Sequence, residues 1–291
     1  MTLQLPMRNG EGSQVAGSLD QSRYPGHVRA VGACSPGRSR VRFGHIWIDA
    51  LTFPEALAEI DRLVVAGLGG CVFTPNVDHV VMAEDDGAFR EAYAAASLSL
   101  ADGQPLIWAS RLLAAPLPAK ISGSDLVLPL MKLAAVRRFR VYLLGGAPGV
   151  AAAVAARFER EVGVEIAGVD CPAISLDRDL EEDAVTKRLV AGRPDLVLVA
   201  LGAPKQELWI HRVRDRIRPA VAIGVGAALD FVSGRARRAP AWMSRAGLEW
   251  LFRLAHEPRR LARRYLLRDP RFLLVLGRTL RAPRSSRVCA R

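Results

Sequence analysis

The chain has 291 residues, half of them hydrophobic, with a formal net charge of +12, enough for one large domain, or a domain with an appendage, around a sizeable core. From Arg235 to Arg291 sixteen arginines face only three acids, Glu249, Glu257 and Asp269, and the rest of the chain is close to neutral, so the basic segment calls for an anionic partner, nucleic acid or a membrane surface. The scattered cysteines Cys34, Cys71, Cys171 and Cys289 form no CxxC pair, which argues against a zinc site and for a reducing compartment, and no run approaches the roughly 18 apolar residues that span a bilayer.

Residues 1–40 are rich in Gly, Ser, Arg and Pro without apolar periodicity, and are expected to form a disordered leader. They carry no apolar stretch of the signal-peptide kind. Order is expected from about Val41. Thr52 and Glu55 have capping-box spacing and predict a helix to about Val65.

Apolar runs then alternate with helical segments. Strands are expected at Cys71–Thr74, Tyr142–Leu144, Val164–Ile166, Leu196–Leu201 and Val221–Val225, with a further apolar stretch at Leu98–Leu100. The pattern predicts an α/β fold: a Rossmann-like, mostly parallel sheet flanked by helices. From Ala241 only helical patterning remains, with Pro258 and Pro270 suited to first turns. The expected division is a leader over 1–40, an α/β core over 41–240 and a short helical C-terminal appendage over 241–291.

Ligands of such sheets sit at the carboxyl ends of the strands. Four segments converge there: Thr74–His79, Gly145–Gly149, Gly202–Glu207 and Gly224–Asp230. The glycine turns could expose backbone N–H groups to a diphosphate, or could allow close packing of helix on strand. No full GxGxxG occurs, which weakens a dehydrogenase reading. Asp102, in Ala101-Asp102-Gly103, could take a proton from an attacking hydroxyl or serve as a turn or cap aspartate. Asp78-His79 reads as a base with its partner, or as a helix N-cap with a first-turn histidine. Asp177-Arg178-Asp179 resembles a metal-binding DxD, but its acid-rich surroundings suit a helix start, so no metal site is expected.

Taken together, these segments resemble the WecG/TagA/CpsF family, glycosyltransferase family 26. The match runs through Thr74-Pro75-Asn76, Ala101-Asp102-Gly103, Ser122–Leu126, Leu144-Gly145-Gly146, Leu201–Glu207 and Gly224–Asp230. It continues through Arg238–Trp242, Gly247–Leu251 and Glu257–Arg260, and covers about residues 42–280. The resemblance implies an inverting, metal-independent transfer from a UDP-sugar to a polyprenyl-diphosphate-linked sugar, without cofactor. N-acetylmannosamine, its uronic acid and glucose are the sugars it suggests. It implies Asp102 as the base and Thr74, Asn76, Gly145, Gly146, Gln206 and Asp230 in the substrate pocket. Arg238, just before the appendage, is a further substrate-binding candidate, and appendage arginines would close over the donor phosphates.

Two positions depart from the family pattern. Lys120 replaces an arginine, keeping the charge but losing the bidentate fork. Pro172-Ala173 replaces a Gly-Tyr pair, so any stacking of that tyrosine on the uracil is absent here. The implied location is cytoplasmic, bound peripherally to the anionic inner face of the membrane, with no nucleic-acid partner; homo-oligomerisation stays open. The competing reading is a nucleic-acid-binding protein, because aromatic residues interleave with the tail arginines.

Overall fold

The computed structural model describes residues 38–172, 179–236, 239–240, 242–243 and 247–289, and only the backbone of residues 179–181 and 260. Ala173, Asp177, Arg178, Arg238, Ala241 and nearly all of the expected leader lie outside them.

The centre is a six-stranded sheet in the order β4-β3-β8-β7-β5-β6. Its strands are β3 (Gly70–Phe73), β4 (Leu98–Ser99), β5 (Arg140–Gly145), β6 (Glu165–Asp170), β7 (Leu196–Ala200) and β8 (Val221–Gly224). Every neighbouring pair is parallel, so both faces must be covered by crossover helices. Val141, Leu143, Leu196, Leu198, Val221 and Ile223 project to one face, packed with α1 (Phe53–Val65), α5 (Gly123–Arg137), α6 (Val150–Val162) and α9 (Ala228–Val232). Tyr142, Leu144, Val197, Val199 and Ala222 project to the other. That face carries α2 (Val77–Asp85), α3 (Gly87–Ala94), α4 (Gln104–Leu112), α7 (Asp179–Gly192) and α8 (Lys205–Val213).

The predicted α/β architecture is therefore the one observed, with two additions. Strands β1 (Arg40–Phe43) and β2 (Ile46–Asp49) form an antiparallel hairpin around Gly44, whose φ is +57°. Its alternation of buried Val41, Phe43, Ile46 and Ile48 is a legible half-buried strand signal. A short strand near the C-terminus, β9 (Val288–Cys289), pairs antiparallel with β1 and completes a second, three-stranded sheet. Thr52 caps α1 as expected, its N–H donating to Glu55 Oε2 at 2.8 Å.

The tail is more closely bound to the core than free-standing helices would be. Helices Glu249–His256 and Pro258–Arg263 are followed by a π-helical turn at Arg264–Arg268, a 3-10 turn at Asp269–Arg271 and helix Phe272–Arg281. Pro258 opens its helix; Pro270 sits in the 3-10 turn. Phe272, Val275, Leu276 and Thr279 are buried, and the Phe272 ring lies 6.3 Å from that of Phe43. Among the described residues no helix is long and apolar enough to cross a membrane.

The Phe272 contact makes the tail part of the folded core. Phe272→Ala is expected to cost about 3–5 kcal/mol, read as a lower midpoint of chemical denaturation. An unchanged midpoint would show that this helix only rests on the surface.

Candidate active site

Four of the sequence-identified residues meet at one pocket of about 260 Å³: Asn76, Asp78, Asp102 and Lys120. Asn76 follows β3 and caps α2, its Oδ1 accepting from the N–H groups of Asp78 and His79 at 3.0 and 3.4 Å. The cap is therefore Asn76 rather than Asp78. Asp102 follows β4, and its N–H donates to Pro75 O at 2.8 Å. The turn before α2 thus supports the Asp102 backbone. Gly103, with φ +97°, precedes α4, and this turn keeps the carboxylate at the strand end.

The opposite wall is supplied by the tail, through Gly247, Glu249, Trp250, Arg253, Arg264, Tyr265 and Asp269. The rings of Trp250 and Tyr265 meet edge to face, with centroids 5.9 Å apart. Arg264 Nε lies 3.1 Å from Asp78 Oδ2, Arg268 Nε lies 2.6 Å from Asp78 Oδ1, and an Arg264 Nη donates to Asn76 Oδ1 at 3.2 Å. Lys120 Nζ stands 3.6 Å from Asp125 Oδ2 and 3.7 Å from Glu249 Oε2. Tail arginines and the segment Gly247–Leu251 are among the sequence expectations, whereas Glu249, Trp250, Tyr265 and Asp269 carry no expected role in the site. One signal was available, since two of the three acids in the arginine-rich tail, Glu249 and Asp269, line the pocket.

The electrostatics single out Asp102. It is half-buried, and burial pushes its carboxyl up to about 7; Lys120 opposes that rise and Glu249 adds to it. Near neutral pH it can exist in both protonation states, which suits a proton acceptor. Burial, with the charge of Asp78, also pushes Asp269 up to about 6.

Thr74, Gln206, Gly145, Gly146 and Asp230 lie outside the pocket lining. Thr74 is buried, and its Oγ1 donates to Gly224 O at 3.4 Å. Gln206 is buried too: its Oε1 accepts from Gly226 N–H at 3.0 Å and its Nε2 donates to Glu207 Oε1 at 2.7 Å. Gly145 has φ +95°, and a Cβ there would lie 2.6 Å from Ala200 O, so this glycine permits a close backbone approach. The N–H of Gly146 donates to Ala200 O at 2.9 Å, and that of Ala147 to Asp230 Oδ1 at 3.4 Å. These glycine-turn amides are engaged within the protein. Among the described residues no three His, Cys, Asp or Glu side chains gather as a metal site.

A model of the glycosyl transferase WecG/TagA/CpsF family matches residues 41–286. Over 215 residues the chain is 33% identical to the N-acetylglucosaminyldiphosphoundecaprenol N-acetyl-beta-D-mannosaminyltransferase of Bacillus spizizenii, covering 74% of this chain and 81% of that relative. It is also 33% identical over 210 residues to the protein of the same name from Bacillus subtilis, covering 72% and 79% of the two chains.

The pocket charges make a titration prediction. Lys120 stabilises the ionised Asp102 and Glu249 destabilises it. Lys120→Met should therefore raise the Asp102 pKa above about 7, and Glu249→Gln should lower it. Carbon-13 NMR of the carboxyl group reads both shifts, and opposite signs would refute this arrangement.

Proposed function

The chain belongs to the WecG/TagA/CpsF glycosyltransferase family, and on that premise we propose that it moves a sugar from a UDP-sugar to a polyprenyl-diphosphate-linked acceptor sugar, with inversion and without a metal. The observation that carries the chemistry is the Asp102 carboxyl, pushed up to about 7 at a strand end inside the pocket. Asp102 takes the proton of the acceptor hydroxyl as that oxygen attacks the anomeric carbon from the face opposite the departing UDP. One base suffices for an inverting displacement, and positive side chains stabilise the leaving diphosphate. Lys120, Arg253 and Arg264 are the pocket's cations, and Arg238 belongs to the same proposed set. Thr74, Gln206, Gly145, Gly146 and Asp230 shape the donor end of the sheet. The similarity to mannosaminyltransferases favours N-acetylmannosamine as the transferred sugar over its uronic acid or glucose, and diphosphate-linked N-acetylglucosamine as the acceptor.

The proposed location is the inner face of the membrane, with the segment from about residue 241 as the contact. Leu251, Leu266, Leu267, Leu273 and Leu274 are exposed on the tail, among arginines that include Arg259, Arg263, Arg271 and Arg278. Apolar side chains can enter the headgroup boundary, while each nearby arginine adds about 1 kcal/mol of attraction to an anionic surface. A 100° wheel instead puts Leu254, Leu261 and Tyr265 with Leu251 on the lipid side. Leu261 is buried and Tyr265 lines the pocket. The helix ends at Glu257, with φ −133°, before Pro258 opens the next one. The π-turn at Arg264–Arg268 then changes the residues per turn, so a phase carried from Leu251 to Tyr265 fails. Trp250 and Tyr265 turn toward the pocket, which supports this reading over a nucleic-acid stacking surface.

Transfer of labelled N-acetylmannosamine from its UDP donor to a diphosphate-linked N-acetylglucosaminyl lipid is the direct test, and it should proceed in excess EDTA. Asp102→Asn should slow turnover about 10²-fold or more with UDP binding retained. Because only the ionised carboxylate accepts a proton, kcat/KM should climb with pH up to about 7 and level above it. Near-normal turnover in Asp102→Asn would remove Asp102 as the base. Separately, glutamate at positions 266, 267, 273 and 274 should abolish sedimentation with anionic vesicles while Tm holds; unchanged sedimentation would place the membrane contact elsewhere.

A further inference from the structure

Beneath the pocket lies a buried pair that the transfer scheme leaves unused. His79, in the first turn of α2, packs its ring against Phe89 and Tyr93, with centroids 5.8 and 6.2 Å away. Its Nδ1 accepts from the Asn76 N–H at 2.9 Å, so the proton of the neutral ring sits on Nε2. That Nε2 faces Glu207 Oε1 at 3.8 Å and has no hydrogen-bond partner. Glu207, in the first turn of α8, is wholly buried. Its Oε1 holds the Gln206 amide at 2.7 Å, while its Oε2 has no hydrogen-bond partner.

Stability does not account for such a pair. Buried, incompletely hydrogen-bonded polar groups cost desolvation, and apolar residues of similar volume commonly do as well or better. Burial pushes His79 down to about 3 and Glu207 up to about 7, which reflects the same cost.

The geometry points to a different role, and we propose that His79 and Glu207 are positioning residues that tie the turn supporting Asp102 to the turn carrying Gln206. The contacts form a continuous path. Gly226 N–H meets Gln206, Gln206 meets Glu207, and Glu207 faces His79. His79 then holds Asn76 N–H, and the adjoining Pro75 carbonyl holds Asp102 N–H. Thr74 Oγ1 on Gly224 O bridges the same two strand ends. The base and the donor end of the sheet thereby keep a common register. Its kinetic consequence rests on the transfer reading above: misplacing a base by about 1 Å can cost about 10²-fold in rate.

The test uses His79→Phe, Glu207→Leu, their double variant and Glu207→Gln. Glu207→Leu and His79→Phe should each lower kcat roughly 10- to 100-fold, with little change in either KM. Each also takes the acceptor from a hydrogen-bonded N–H, so Tm falls in both, whereas Glu207→Gln should hold it. The double variant should be no slower than the worse single, because coupled sites do not add. Glu207→Gln keeps the acceptor for Gln206 and the side-chain shape facing His79, and should retain most of kcat. Hydrogen exchange supplies a readout free of substrate: in Glu207→Leu the amides of Asn76 and Asp102 should exchange faster, although the path to them runs through His79. Losses that multiply, a wild-type rate in the double variant, or unchanged exchange at both amides would each overturn the proposal. So would a Tm that falls with kcat in every variant, Glu207→Gln included. Should the unaltered protein transfer nothing to a lipid-linked acceptor while those amides still respond to Glu207→Leu, the transfer reading fails and the tie stands.

Discussion

Asp78 is the constraint on which the site depends. Its carboxylate is 3% exposed at the start of α2, and a buried charge without a partner costs several kcal/mol. The partners come from nearly two hundred residues away: Arg264 and Arg268 reach it from the π-turn. Satisfying this one charge docks the tail over the strand ends. The docked tail supplies the wall of Glu249, Trp250, Arg253 and Tyr265 that makes a pocket of an open sheet edge.

That closure sets the chemical character of Asp102. At an open strand end the carboxyl would be solvated and would stay in the ordinary carboxylate range. Enclosed by α4, Lys120 and the tail, it is pushed to about 7, chiefly by burial. A proton acceptor poised near neutrality therefore follows from the same contacts that hold the tail in place. The balance of charges around it is close. Lys120 and Arg253 oppose the burial effect, Glu249 and Asp125 reinforce it, and Lys120 is shared between Asp125 and Glu249.

The tail divides its apolar side chains between two environments. Phe272, Val275 and Leu276 complete the core against the β1–β2 hairpin, and β9 secures the far end to β1. Leu266, Leu267, Leu273 and Leu274 stay exposed. Leu273 and Leu274 share one α-helix with Val275 and Leu276, on its opposite face, while Leu266 and Leu267 stand in the π-turn, so composition alone cannot tell a core leucine from a surface one.

The sequence by itself determined the parallel α/β layering, because strands such as Leu196–Ala200 are apolar throughout and can only be buried on both faces. It also determined the helix start at Thr52 and the family membership, because these depend on residues close together in the chain or on motifs in order. Tertiary structure alone decided which motif residues share a pocket. Asn76, Asp78, Asp102 and Lys120 line it, whereas Gln206 and Thr74 are buried outside its lining, a difference that no local pattern encodes. It also decided that Asp78 is an anchor for arginines, and that His79 and Glu207 face each other from α2 and α8. Both follow from distance: each group's partner is more than one hundred residues away in sequence, and only the packed sheet brings them within reach.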